Sequence, residues 1–211
     1  MGRYTGPVCR LCRREGQKLH LKGARCSLAK CSLEQGHPAP GMHGGARRGR
    51  KMSDYGTQLR AKQQLRRQYG LQEGQFHGIF EKASQKRGVT GEIMLQLLEM
   101  RLDNIVYRLG FAPSRAAARQ FVRHNHVTLN GRKANIPSIT CKAGDVILVR
   151  DRDKSKALAK LAYDTAGAGR AVPRWLSVDG EQLRGEIITI PTRDEIAPIA
   201  DEQLVVELYS R

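Results

Sequence analysis

Four cysteines stand close together near the start of the chain, spaced Cys9-x2-Cys12-x13-Cys26-x4-Cys31. A C-x2-C pair lets two thiolates from one tight turn face a single ion. A second pair completes the four ligands that tetrahedral zinc takes at about 2.3 Å. Four thiolates also suit a 4Fe–4S cluster, and the spacing does not separate the two metals. A full thiolate set leaves no open position for water, so a catalytic metal is not expected. His37 and His43 follow as substitute ligands that four thiolates make unnecessary. The basic neighbours Arg10, Arg13, Arg14, Lys22, Arg25 and Lys30 lower thiol pKa values and favour metal binding. The same side chains suit phosphate groups. A redox C-x-x-C belongs in thioredoxin-like βαβ surroundings, which this pattern lacks. The fifth cysteine, Cys141, lies near a strand-like run and reads as a small buried apolar residue.

The cluster sits in a strongly cationic segment. The first seventy residues carry sixteen Lys and Arg against three Asp and Glu, a net +13 out of +17 for all 211 residues. From Trp175 to Arg211 the sign reverses, with three basic and eight acidic residues. Such polarised charge points to a polyanion at the amino-terminal end and to protein neighbours at the acidic tail. No apolar run reaches the roughly 18–20 residues that span a bilayer. The start, Met1-Gly2-Arg3-Tyr4, lacks an apolar signal region, so a reducing, non-secreted setting is expected. One Trp, four Phe and six Tyr are too few for a binder built mainly on base stacking. Backbone charge and shape are the better basis for recognition.

The elements that must position these cations can be read from local signals. Residues 37–51 are punctuated by Pro and Gly and end in Arg47-Arg48-Gly49-Arg50-Lys51, an extended arm that lays cations along phosphates. Ser53 caps a helix to about Gln68, with Gly70 as its stop and Arg60, Lys62, Arg66 and Arg67 along it. A second helix runs from about Glu73 to Arg87, and a third, the most apolar, from about Glu92 to Leu109. Pro113-Ser114 opens a short helix through about His124, on which Arg115, Arg119 and Arg123 recur every four residues and share one face. Asn130-Gly131 between two strand-like runs predicts a tight hairpin, since both turn residues must reach positive φ. Arg132 and Lys133 extend the basic face, and Val146–Val149 reads as a buried strand. A helix is expected over Ser155 to about Thr165. Trp175–Val178, Glu186–Ile190 and Leu204–Tyr209 read as strands.

Several stretches match a known family. Ser53-Asp54-Tyr55-Gly56, Glu99-x-Arg101-Leu102-Asp103-Asn104-Ile105-Val106-Tyr107-Arg108-Leu109-Gly110-Phe111 and Val206-Glu207-Leu208-Tyr209-Ser210 resemble small-subunit ribosomal protein four of bacterial type, over essentially the whole length. Arg101–Arg150 resembles the small RNA-binding module named after that protein. Pro40-Gly41-Met42-His43-Gly44 resembles the family's Pro-Gly-Gln-His-Gly, with Met42 in place of Gln. The resemblance implies binding to 16S ribosomal RNA, an early role in small-subunit assembly and an influence on decoding accuracy. It also implies contact with small-subunit protein five, proximity to incoming messenger RNA, and a cytoplasmic place in the 30S subunit. Only some family members keep the cysteines, so the metal is expected to be structural.

The expected fold is α+β. A metal knuckle and arm fill residues 1–51. A helical platform fills 52–99, completed by part of 186–211. A module with a small mixed sheet fills 100–185. RNA contacts are expected from Arg3, Arg10, Arg13, Arg14 and Lys22, and from the arm residues Arg47, Arg48, Arg50 and Lys51. The platform adds Arg60, Lys62, Arg66 and Arg67, and the module adds Arg115, Arg119, Arg123, His124, Asn130, Arg132 and Lys133. Two other classes are weighed. Arg101-Leu102-Asp103 echoes the Arg-Leu-Asp of some pseudouridine synthases, but the chain has no room for their catalytic sheet domain, and both residues read as helix-surface groups or an interdomain ion pair. A sequence-specific DNA reader would concentrate its basic groups on one recognition helix, whereas here they are spread over several elements.

Overall fold

The computed structural model describes residues 4–45, 52–167, 171–196 and 198–210. The chain divides into two compact units, residues 1–94 with 198–211, and residues 95–197.

In the first unit, helix α1 spans Cys9–Glu15 and ends at Gly16, whose φ of 70° is left-handed. A 3-10 turn follows at Gly23–Cys26. Helix α2 spans Asp54–Gln68, and its cap is Ser53, whose Oγ accepts from the Gly56 N–H at 3.2 Å. Helix α3 spans Glu73–Ser84, and α4, Thr90–Glu99, carries the boundary between the units. Leu65 and Phe76 are fully buried.

In the second unit, α5 spans Leu102–Arg108 and α6 spans Arg115–Arg123, capped by Ser114. The expected single helix over 92–109 is therefore two. The break falls at Met100-Arg101, where Arg101 adopts extended backbone and pairs with Thr140. A tertiary partner outweighs helix propensity there.

Strands β1 (Val127–Leu129), β2 (Arg132–Ala134) and β3 (Val146–Val149) follow. Helix α7 spans Asp153–Ala162, and β4 (Leu176–Asp179) and β5 (Arg184–Ile187) complete a sheet in the order β2-β1-β3-β5-β4. Every pairing is antiparallel, which corrects the mixed sheet expected. The β1–β2 hairpin turns at Asn130 (φ 50°) and Gly131 (φ 76°), as the dipeptide demands. Glu186 and Ile187 are thus part of the second unit's sheet and not of the helical platform. Trp175, Ile147, Ile187, Phe111, Leu102 and Ile105 form this unit's core. Cys141 is buried beside them, and burial, then Asp145 and Asp103, pushes its thiol up to about 12.

Helix α8 is the single turn Arg193–Ile196, and α9 spans Glu202–Tyr209 in the first unit. The strand expected over Leu204–Tyr209 is this helix. Asp201 caps it, its side chain accepting from the Gln203 N–H at 2.9 Å, and Val205 is its fully buried contact. No helix among the described residues is long and apolar enough to cross a membrane.

Candidate nucleic-acid interface

The cysteines and the basic residues around them lie on α1 and the loops after it. Cys12, Cys26 and Cys31 are buried, Cys9 is half-buried, and all are free thiols. The Lys22 N–H points at Cys26 Sγ from 3.3 Å. Burial pushes the Cys12 thiol up; the Leu19 backbone opposes this, and Cys26, Cys9 and Cys31 push it further up. Among the described residues, no group of three or more His, Cys, Asp or Glu is assembled to hold a metal ion. His37 is exposed and bonds Gln35.

Around this cluster Arg10, Arg14, Lys22, Arg25 and Lys30 are exposed. Arg13 is half-buried and donates to the Pro38 carbonyl at 3.2 Å. A cleft of about 680 Å³ opens beside it, lined by Arg13, Arg14, His37 and Arg60 among others. Arg3, Arg47, Arg48, Arg50 and Lys51 lie outside the described residues.

The cations of α2 are placed differently from expectation. Arg60 and Arg67 both converge on Oε1 of Glu15, whose side chain is fully buried. Burial raises the Glu15 pKa against the opposing pull of Arg60, Arg67 and Arg14. Lys62 is buried, donates to Glu73 at 2.5 Å and lies 5.5 Å over the Tyr209 ring. Arg66 grips Gln63 Oε1 at 2.7 and 3.0 Å. These four side chains tie α2 to α1, α3 and α9 and offer little charge outward.

The arginine stripe of α6 splits in the same way. Four residues advance an α-helix by about 40° more than a full turn, so the stripe drifts from inside to outside. Arg115 is buried; it donates to Asn104 Oδ1 at 2.8 Å and sits 4.5 Å over the Tyr107 ring. Arg119 reaches Asp103 Oδ2 at 3.2 Å. Arg123 is exposed, as are His124, Arg132 and Lys133. Arg115 is therefore a scaffold residue, and the outward cations are those at the end of α6 and on edge strand β2.

Asn130 is exposed, but its side chain is engaged. Its Nδ2 donates to Asp145 Oδ1 at 2.8 Å and its Oδ1 accepts from the Val146 N–H at 2.8 Å, which clamps the hairpin to β3. Arg101 and Asp103 are neither surface groups nor an interdomain pair. They form a buried two-pronged bond at 3.0 and 3.1 Å within the second unit.

Comparison with known proteins explains this arrangement. Residues 3–99 match the family described as Ribosomal protein S4/S9 N-terminal domain, and residues 100–147 match the S4 domain. The chain belongs to the ribosomal protein S4 family. It is 56% identical to Small ribosomal subunit protein uS4A of Symbiobacterium thermophilum, with both chains covered in full. The uS4 proteins of Heliobacterium modesticaldum and Thermus thermophilus are 54% and 53% identical, again over full length.

In this S4-family chain the S4-domain match spans α5, α6, β1 and β2 and ends within β3. Just beyond it stand Arg150 and Arg152, which the sequence reading passed over. Arg150 donates to the Asn125 carbonyl at 3.3 Å, and both arginines bear electrostatically on His126. Arg150-Asp151-Arg152 after a strand end was the available signal. Met42, the departure from the family's Pro-Gly-Gln-His-Gly, is 96% exposed.

Proposed function

We propose that this chain is a structural constituent of the small ribosomal subunit that binds 16S ribosomal RNA directly, helps nucleate subunit assembly and contributes to translational accuracy. The observation that carries this is the family match over residues 3–147, together with the full-length similarity to small-subunit relatives. The distribution of cations supports it. Each unit carries its own exposed basic group: Arg10, Arg14, Lys22, Arg25 and Lys30 on one, Arg123, Arg132 and Lys133 on the other. Inward-facing arginines stiffen the elements that display them. Two such surfaces let one protein grip two RNA segments at once. No sequence-reading helix is needed, because phosphate contacts position and shape selects.

The four thiols form a structural zinc site in this reading, with a 4Fe–4S cluster as the rival occupant. Its support is the spacing, the burial of three thiols and the Lys22 N–H directed at Cys26 Sγ. A bound metal would draw Cys9, Cys12, Cys26 and Cys31 into one set and order the basic loop between them. Small-subunit protein five and messenger RNA entering the subunit are the further partners proposed, the acidic tail being the segment suited to protein.

The test is binding of the full chain to a 16S 5′-domain RNA, with competition by duplex DNA and a salt titration. Tight RNA binding that resists DNA competitor and weakens steeply with salt is expected. Equal preference for duplex DNA would overturn the reading.

A further inference from the structure

Where α6 returns into the sheet, His124, His126, Arg150 and Arg152 come together: the Arg150 N–H donates to the His126 carbonyl at 2.8 Å, and Ser155, which bonds the His126 ring, lies in the first turn of the helix that Arg152 caps. Asn125 takes a left-handed turn (φ 63°) and delivers His126 between α6 and α7. The imidazole stacks on Phe121, with centroids 4.7 Å apart and planes 21° apart. Its Nδ1 is bonded to the Oγ of buried Ser155 at 2.8 Å. The ring is thus fixed by two contacts, and among the described residues its Nε2 has no partner. His124 lies 6.2 Å away, centroid to centroid.

The charges that act on this ring come from the elements around it and have one sign. His124 stands at the end of α6, Arg150 just past β3 and Arg152 at the start of α7. Among the described residues no carboxylate acts on the ring alongside them, and Asp151, between the two arginines, is paired with Lys156. Burial first, and then these three neighbours, hold the His126 pKa below its ordinary value. The imidazole therefore sits among basic groups, held by Phe121 and Ser155, with its Nε2 unpartnered among the described residues.

We infer that His124, His126, Arg150 and Arg152 form a binding site for an RNA backbone phosphodiester, and that the phosphate binds together with a proton taken up by His126. This deepens the proposed function and rests on it. The physical reason is a reversal of sign. An anion near Nε2 neutralises the repulsion from the arginines and supplies an acceptor for a second ring N–H. The proton comes from solvent and goes to Nε2, while Nδ1 stays on Ser155. Because the bound form holds the proton more tightly, affinity must rise as pH falls, by up to about tenfold for each pKa unit gained on binding.

The experiment uses the full chain and the 16S 5′-domain RNA. Calorimetric titration at one pH in two buffers of different ionisation heat counts protons taken up. The NMR titration of the His126 ring, free and bound, assigns them without any substitution. His126→Gln, which keeps a polar group near Ser155, serves as the second arm. A net proton uptake, a His126 midpoint that moves to higher pH in the complex, and loss of the uptake in His126→Gln are expected. Tight binding with no proton uptake and an unmoved His126 midpoint would overturn the inference and leave the RNA-binding function intact. No binding at any pH would overturn both.

Discussion

Asn104 donates twice to Glu99 across the break between α4 and α5, to its carbonyl at 2.9 Å and to its Oε2 at 2.7 Å. The same carboxylate receives Arg108 at 2.6 and 2.9 Å, and Arg115 approaches it at 3.9 Å. One fully buried acid at the end of α4 thus anchors α5 and α6, and the arginine stripe of α6 begins inside that network.

Removing that acid should be severe. Glu99→Ala leaves Arg108 and Arg115 without their buried carboxylate, and breaking a buried pair from one side costs about 3–5 kcal/mol. Glu99→Gln should cost less, since an amide still accepts hydrogen bonds. Urea denaturation followed by circular dichroism checks both, and a wild-type midpoint for Glu99→Ala would refute the anchor.

The split stripe gives opposite expectations for two arginines on one helix. Arg115→Ala should lower stability, because it removes a buried bond and a ring contact. Arg123→Ala should leave stability unchanged and reduce the magnitude of the RNA-binding salt slope by roughly 0.7–0.9. Melting curves and salt titrations of the two variants separate these roles. Matching behaviour would show that the helix does not present them on different sides.

Asn130→Ala should lower stability by about 1–2 kcal/mol, through two lost hydrogen bonds and a left-handed position that alanine tolerates poorly. Asn130→Gly should relieve the backbone part only. Hydrogen exchange at the Val146 amide, which loses its acceptor in both variants, reports the local effect.

Glu73 links α3 to α2 and α9. Burial would raise its pKa, but hydrogen bonds from Lys62 and Tyr209 and the charges of Lys62 and Arg66 outweigh this and hold it below the ordinary glutamate value. A depressed carboxyl adds stability that is present above the unfolded value and lost as pH falls through the folded one. The first unit should therefore weaken as the medium is acidified below about pH 4.3, the unfolded glutamate value. Glu73→Gln should blunt that loss in a series of melting curves against pH.

Cys9→Ser should release metal from the proposed zinc site and expose residues 1–50 to protease, while the second unit keeps its melting behaviour. Elemental analysis of protein purified without oxygen, combined with limited proteolysis, measures both. Metal content unchanged by this substitution would rule out the four-thiolate site.

The features that the sequence determined by itself are local ones. Ser53 as a cap, the helix start at Pro113-Ser114 and Asn130-Gly131 as a hairpin turn follow from short-range sterics and from backbone groups a few residues away. The stop at Gly70 and the strand Val146–Val149 are of the same kind. Family membership was also legible, because whole motifs survive as strings. Which cations face outward was not. Arg60 and Arg67 look as exposed in sequence as Arg123, but Glu15 reaches them from 45 and 52 residues away. The helix at Glu202–Tyr209 and the break at Arg101 were hidden for the same reason, since packing on α2 and pairing with Thr140 override weak local preference. A charge is fixed by the residue type, but its use depends on which distant side chain the fold brings within about 3 Å.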